Sequence, residues 1–433
     1  MSWLLWSLVI QLALAISPPP CQEIAPPQIN LTSVRTAFIP VPGTPWGLSF
    51  AGPAHPNRAF VTLTGLSVNG SIQYGNGTLG VLDTSSFPPR LVYQISLPVA
   101  FQPPGMAAAA SAGIAQLSVS PDGKRVYVAA GPGGIAVDVE KALAGSTDAV
   151  LGTLNGTTAD LSPGTNAIAV ASSRDEKFAF VSQEHGDGSA LDNAMSTPGN
   201  LDVFRLYQHP SKHNGTAGYP TGQLNLGYNV AGATIAPDGK HLYVTSERYT
   251  SAGARLNTSI PCSALLPGFF SVVDLHQLEQ YPAKAKHVDT PAGFAPNRIR
   301  PSPGGKTVWV TARESNALLA YNASALHSNA TKALLAVVQV GNAPVDLVFV
   351  KNGTRIVTAD SNRFGYAGAV AGLTVVDVEA ALSGKGGNTT AVLGRVPTGF
   401  FPRDLAVSPD GRWVMCTVYS SGEVQVIDVE TLP

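Results

Sequence analysis

The sequence predicts an all-β fold: a seven-bladed β-propeller of four-stranded antiparallel blades, its ring closed by the N-terminal strand. Three observations carry this reading. A tight turn between two strand-like runs recurs along the chain, clearest at Ser120-Pro121-Asp122-Gly123 between residues 113–119 and 125–130. After each turn comes an apolar run bearing an aspartate, as in Val137-Asp138-Val139 and Val375-Val376-Asp377. The last unit stops at Leu432-Pro433, one strand short, while residues 34–41 form a strand-like run with no other partner.

Taken in order, the chain opens with an apolar run over residues 3–15 that ends in Ala13-Leu14-Ala15, a small-x-small cleavage pattern. Residues 1–15 are therefore expected to be a signal peptide, too short to span a bilayer. Residues 16–32, with Ser17-Pro18-Pro19-Pro20, form an N-terminal extension, and residues 33–433 form the propeller. Asn-x-Ser/Thr acceptors stand at Asn30, Asn69, Asn76, Asn155, Asn214, Asn257, Asn322, Asn329, Asn352 and Asn388. Each occupied one must lie on the surface. Charged residues make up 13% and the net charge is −1, with no basic patch for nucleic acid and no second apolar run of membrane-spanning length. A secreted, monomeric glycoprotein is the expectation. Three cysteines cannot all pair within one chain. Cys416 sits where the repeat elsewhere has Val128, Val244 and Val310, and is expected to be a buried thiol. Cys21 and Cys262, in loop-like segments, are the expected disulfide.

The turn has a stereochemical logic. Proline presets φ, aspartate accepts hydrogen bonds from the backbone that follows it, and glycine takes the positive φ. Further copies are Ala236-Pro237-Asp238-Gly239, Ser302-Pro303-Gly304-Gly305 and Ser408-Pro409-Asp410-Gly411, with degenerate ones at Ser173-Arg174-Asp175-Glu176 and Lys351-Asn352-Gly353-Thr354. The spacing, roughly 50–65 residues, is that of a repeat array with variable loops. First strands are placed near Trp46, Ile114, Ala167, Val230, Asn297, Val345 and Arg403. The aspartate run recurs at Asp83, Asp138, Asp202, Asp274, Asp377 and Asp428, with Leu319-Ala320-Tyr321 in the fifth unit. A fourth strand follows in most units, for example residues 335–340 and 391–393. Series of four-stranded units are propeller blades, and closure removes the two edges an open ring would expose.

Pro402-Arg403-Asp404-Leu405-Ala406-Val407-Ser408-Pro409-Asp410-Gly411, together with Lys240-His241-Leu242-Tyr243-Val244-Thr245 and Val375-Val376-Asp377, resembles the YVTN-type propeller repeat. The resemblance covers nearly the whole mature chain. That repeat occurs in surface-layer proteins, in the haem d1 domain of nitrite reductase and, more distantly, in lactonase-type propellers. The resemblance implies the propeller fold, and with the sequons and leader it implies an extracellular, fungal-like member; it leaves activity open between enzymes and binding proteins.

Loops between second and third strands share one face, and the longest are residues 64–77, 184–200, 247–268 and 360–372. Aligning the repeats places Thr64, Gly131, Glu184, Glu247, Arg313, Asp360 and Tyr419 around the mouth of that face, followed by His185, Arg248, Glu314 and Arg363. Carboxylates, guanidinium groups and an imidazole around a funnel can bind a polar substrate and move protons. Glu184, His185, Glu247 and Arg313 are the candidate catalytic residues. Arg248, Asp360, Arg363 and Tyr419 are candidate ligand contacts, as are Arg298, Asp346 and Asp404 of a second cluster with Gln116 and Arg300. The competing reading is a set of inter-blade ion pairs, such as Glu247 with Arg313. His209 and His213 are separated by Pro210, which breaks the helix a two-histidine metal site would need. Gly131-Pro132-Gly133-Gly134 joins two strands, so it is not a dinucleotide loop. No Gly-x-Ser-x-Gly elbow and no haem-attachment motif occurs, and neither a metal nor a cofactor is expected. The expected function is a cofactor-independent lactonase-, isomerase- or cyclase-type enzyme acting on a small organic molecule. The alternatives are a non-catalytic extracellular binding propeller and a structural wall-associated protein.

Overall fold

The computed structural model describes residues 17–64, 67–68, 71–72, 77–98, 114–155, 165–185, 198–248, 266–327, 330–384 and 391–433. The expected signal peptide lies outside the described residues. So do Asn69, Asn76, Asn257, Asn329, Asn388 and Cys262, and with Cys262 the expected bridge to Cys21.

Seven four-stranded antiparallel sheets follow one another around a ring. Their first strands are Thr44–Phe50, Ile114–Val119, Thr165–Ser172, Tyr228–Ile235, Pro296–Pro301, Pro344–Val350 and Pro402–Val407. They pack side by side around the axis. Each starts within two residues of the position read from the repeat. The last blade is completed from the other end of the chain: Thr36–Pro40 pairs antiparallel with the third strand, Glu423–Asp428, in the register Thr36 to Ile427 through Pro40 to Glu423. Val34, Ile39 and Val41 are buried there. Apolar clusters fill the spaces between adjacent blades, for instance Val308, Val310, Leu319 and Tyr321 against Tyr243, Phe270 and Val272. Among the described residues no helix is long and apolar enough to cross a membrane.

The turn works as its composition requires. Ser120 Oγ donates to Asp122 Oδ1 at 2.7 Å, and that oxygen also accepts from Lys124 N–H. Gly123 takes φ +72°. Ser408 and Asp410 repeat this arrangement. Ser173-Arg174-Asp175-Glu176 is a complete turn as well, with Glu176 itself at φ 57° in the glycine place.

The aspartate hallmark holds at Asp138, Asp274, Asp377 and Asp428, each of which accepts a backbone N–H of the turn that follows its strand. Asp202 is a correction. It lies inside Asn200–Leu206, opposite Val181, whereas Arg205 occupies the hallmark position opposite Phe178. The apolar run around Asp202 resembled the motif, but the strand is displaced by three residues. Asp202 is buried and accepts from Gln183 and Asn200, and burial raises its carboxyl to about 7. In the fifth blade the hallmark position is filled by Asn322, whose Oδ1 accepts from Ser324 and Ala325 N–H.

A second repeat feature binds neighbouring blades. Every first strand carries a register shift near its start. The extra residue leaves backbone groups unpaired at the shift, and a second-strand hydroxyl satisfies several of them. Thr311 Oγ1 accepts from Arg298 N–H in its own blade at 3.0 Å and donates to Val345 O of the next blade at 3.1 Å. Thr62 reaches Ala115 O, Ser182 reaches Ala231 O, Thr245 reaches Asn297 O and Thr417 reaches Trp46 O in the same way. Gly47, in the shift of the first blade, has no room for a side chain, because a Cβ there would lie 2.7 Å from Gln116 Cα. Thr311→Val keeps the shape and removes both bonds. We expect it to lower stability by about 1–3 kcal/mol, the cost of orphaning buried polar groups, as measured by chemical denaturation; an unchanged midpoint would contradict the bridging role.

The N-terminal extension is also ordered onto the ring. Gln22 N–H donates to Glu314 O, Ala25 N–H to Asn342 Oδ1, and residues Ile29 and Leu31 pair with Arg395. Cys416 is free and buried, and burial raises its thiol well above the ordinary value, as expected of a core thiol.

Candidate functional site

The mouth is built where second strands end and first strands begin. Glu247 and Arg248 end the second strand of blade four, His241–Arg248, and Arg313 follows that of blade five, Thr307–Ala312. Residues two apart in a strand share a face. Glu247 therefore points, like Thr245, at the next blade, and meets Arg313 Nη2 at 2.8 Å. Asn229 and Asn297 donate to the same carboxylate at 3.4 and 3.1 Å. Both charges are buried. Burial alone pushes the Glu247 carboxyl up, but Arg313, Arg248 and Arg363 outweigh it and hold its pKa below the ordinary value. Glu247 is thus ionised and fully engaged, which is the inter-blade ion pair the sequence offered as an alternative.

Arg363 joins this group from the 360–372 loop. Arg313 first, and burial second, depress it to about 10, with Glu247, Glu184 and Glu314 acting in the opposite sense. Its side chain is exposed, so solvent screens part of that repulsion. His185 is buried, lies 3.9 Å from Glu184, and has an Nδ1 with no hydrogen-bond partner among the described residues. Glu184, Glu247, Arg313 and Arg363 therefore lie close enough to influence one another, as the repeat alignment required. Asp360 stays apart from this group. It accepts from Thr358 and Thr374 of its own blade, and burial raises it to about 7. Gly131 heads the tight turn between Ala130 and Gly133.

The feature that repeat alignment missed is Arg403. It begins the last first strand, at the register shift, where the corresponding residues of other blades are Trp46 and Asn297. Its guanidinium stacks 3.3 Å from the Trp46 ring centroid, with Phe401 and Tyr419 at 5.1 and 5.3 Å. Its Nε has no hydrogen-bond partner. Among the described residues no carboxylate pairs with it. Burial, then the nearby cations Arg363, Arg298 and Arg313, lower it to about 9, with Tyr419 opposing them. Arg363 lies over Phe401 and Phe364, and Tyr419 meets Trp46 edge-on at 5.5 Å. Beside this box a cavity of about 510 Å³ opens between blades six and seven, lined by Arg363, Phe400, Phe401, Asn362 and Ser420. The signal in the sequence is the run Gly399-Phe400-Phe401-Pro402, an aromatic pair at the corner that leads into the last blade.

The second cluster converges lower in the channel, and most of it is paired. Arg300 holds Asp346 bidentately at 3.2 and 2.8 Å, and Asp346 also accepts Leu405 N–H. Burial raises the Asp346 carboxyl and Arg300 more than compensates, leaving it below the ordinary value. Asp404 accepts Leu48 N–H at 2.8 Å and Gln116 Nε2 at 3.3 Å; burial and Asp346 raise it to about 7. Arg298 approaches Asp404 only to 3.9 Å, and its Nε and Nη1 are unpartnered. These residues tie blade to blade, and Gln116, Arg298 and Arg300 line a larger cavity, about 650 Å³, that opens on the opposite face, among the Ser-Pro-Asp-Gly turns. His209 and His213 are separated by the Pro210 turn, and His213 stacks on Tyr207 at 3.6 Å. Of the described sequons, Asn30, Asn155, Asn214 and Asn352 are exposed and Asn322 is half-buried.

Fold and site define a seven-bladed propeller with an arginine- and aromatic-rich mouth. Among solved structures, the chain is similar to hydrazine synthase of Kuenenia stuttgartiensis (TM-score 0.59, 14% identity, 90% of this chain and 97% of the other). It is also similar to a protein of Bacteroides uniformis assigned as a 6-phosphogluconolactonase (TM-score 0.52, 16% identity, 86% of this chain and 92% of the other). At such identities the likeness is one of fold alone. No family model matches the chain, and no curated protein matches it.

Proposed function

We propose that the chain is a secreted, glycosylated propeller of the YVTN type whose mouth binds a small organic anion, a carboxylate carried on an apolar or aromatic body. We further propose that it acts on that molecule as a cofactor-independent lactonase-, isomerase- or cyclase-type enzyme. The observation that carries the reading is Arg403, a cation stacked on Trp46, with no carboxylate partner among the described residues, and among other cations. An uncompensated charge in such a place is costly, and a bound anion relieves the cost. Phe400, Phe401 and Trp46 offer the apolar surface, and Arg403 with Arg363 offers charge-assisted hydrogen bonds to a carboxylate or developing oxyanion. His185 is the proton-transfer candidate, while Glu247 serves to fix Arg313. That engagement of Glu247 favours, as a second reading, a non-catalytic binding protein using the same mouth.

The test is calorimetric titration of the secreted protein with a panel of aromatic and aliphatic carboxylic acids and their lactones, watching also for turnover. Arg403→Met should weaken binding at least about 100-fold while leaving the melting temperature equal or higher, because it removes an unpaired, partly desolvated charge. A lower melting temperature with unaltered binding would reject the mouth as the site. Binding without turnover of any lactone or acid selects the second reading. The secreted state rests on the leader and sequons. N-glycosidase treatment should shift the mobility by several glycans, and an unglycosylated cytosolic product would refute it.

A further inference from the structure

On the outer flank, away from the mouth, Asp238, His241 and His327 bring three ligand atoms within 4.8 Å of one another. Asp238 lies in the Ala-Pro-Asp-Gly turn of blade four, His241 starts the second strand of that blade, and His327 ends the short turn Ala325–His327 of blade five. We propose that these residues form a binding site for a borderline divalent cation, Zn²⁺ or Cu²⁺, that joins blades four and five.

The site is fixed before any ion arrives. Asp238 Oδ1 accepts Lys240 and His241 N–H at 2.8 and 3.3 Å, which leaves Oδ2 directed at His241 Nδ1, 2.7 Å away. His327 is held by Leu326, which is fully buried in the core between the two blades. The two imidazole rings lie with centroids 4.1 Å apart and tilted by 36°, and among the described residues no hydrogen bond joins them. As a neutral imidazole, His327 offers a nitrogen lone pair to a cation. A cation entering beside the Asp238–His241 hydrogen bond takes Oδ2, Nδ1 and one nitrogen of His327. The His241 proton moves to Nε2, so the neutral ring loses no net proton. The remaining positions go to water. Two imidazoles and one carboxylate suit zinc and copper rather than calcium or magnesium, which favour all-oxygen sets, and copper should bind more tightly than zinc.

The site was invisible to sequence spacing because His327 stands 86 positions beyond His241, from numbers 241 and 327. It is independent of the mouth reading, since none of its residues lines the mouth.

The test is titration of the full secreted protein with ZnCl₂ and CuSO₄ by calorimetry, with electron paramagnetic resonance on the copper form. One ion per chain should bind, and the copper spectrum should show two nitrogen ligands. His327→Ala and His241→Ala should each weaken binding at least about 100-fold, and Asp238→Asn by no less than the roughly 10–100-fold that loss of an outer-shell partner costs. His213→Ala should leave binding unchanged. Zinc should raise the melting temperature of the wild-type protein and not that of His327→Ala, since a ligand of the folded state alone stabilises it. Absence of saturable binding, or full binding by His327→Ala, or its loss in His213→Ala, would overturn the site.

Discussion

Removing residues up to Val41 will convert the protein into aggregates. The truncation strips the outer strand Thr36–Pro40 from the last blade and leaves the Glu423–Asp428 backbone as an open edge. It also uncovers the pocket filled by Ile39 and Val41 against Val424, Val426 and Leu63. An exposed, apolar strand edge is a template for further strands. The extension that crosses blades five to seven is lost as well, along with the contacts of Gln22 and Ala25. Size-exclusion chromatography of the purified truncated protein reads the outcome. A truncated monomer with the parental melting temperature would show that the ring does not depend on its N-terminal closure.

Glu247→Gln is the second large effect, and it concerns the mouth. The substitution keeps size and some hydrogen bonding but leaves Arg313 buried beside Arg248 and Arg363 without its counter-charge. Breaking a buried pair by removing one partner costs about 3–5 kcal/mol, so the melting temperature should fall by many degrees. The pH profile supplies a second readout. The folded-state pKa of Glu247 is depressed, so its stabilisation is present above the unfolded value of about 4.3 and is lost as pH falls through the lower folded value. The gap between wild type and variant should therefore be constant near neutrality and shrink below about pH 4. A variant of undiminished stability would mean that Glu247 is not a structural partner, and would return it to candidacy as a general base.

Blade number, strand order and the position of each first strand follow from the sequence alone, because each rests on a short-range pattern; ring closure follows from the tally of strands, which leaves residues 34–41 as the partner the last blade lacks. Turn chemistry needs only Ser, Pro, Asp and Gly at adjacent positions, and strand faces follow from a period of two. The same local logic placed Glu184, Glu247, Arg313 and Arg363 at one mouth and Cys416 in the core. It failed at Asp202, where an apolar run with an aspartate mimicked the hallmark but paired three residues out of step.

What the sequence determined by itself is the propeller, the face that carries the long loops and the set of charges drawn to it. Only the tertiary structure decided which of those charges remain available. Glu247 is consumed by Arg313, Asp360 by its own blade, and Asp346 by Arg300, whereas Arg403 stands on Trp46 and, among the described residues, no carboxylate pairs with it. The reason is distance along the chain. Trp46 and Arg403 are brought together by the closing of a ring, and His241 and His327 by the packing of two blades. Contacts between residues so remote depend on how whole sheets pack, which no local pattern of residue types encodes.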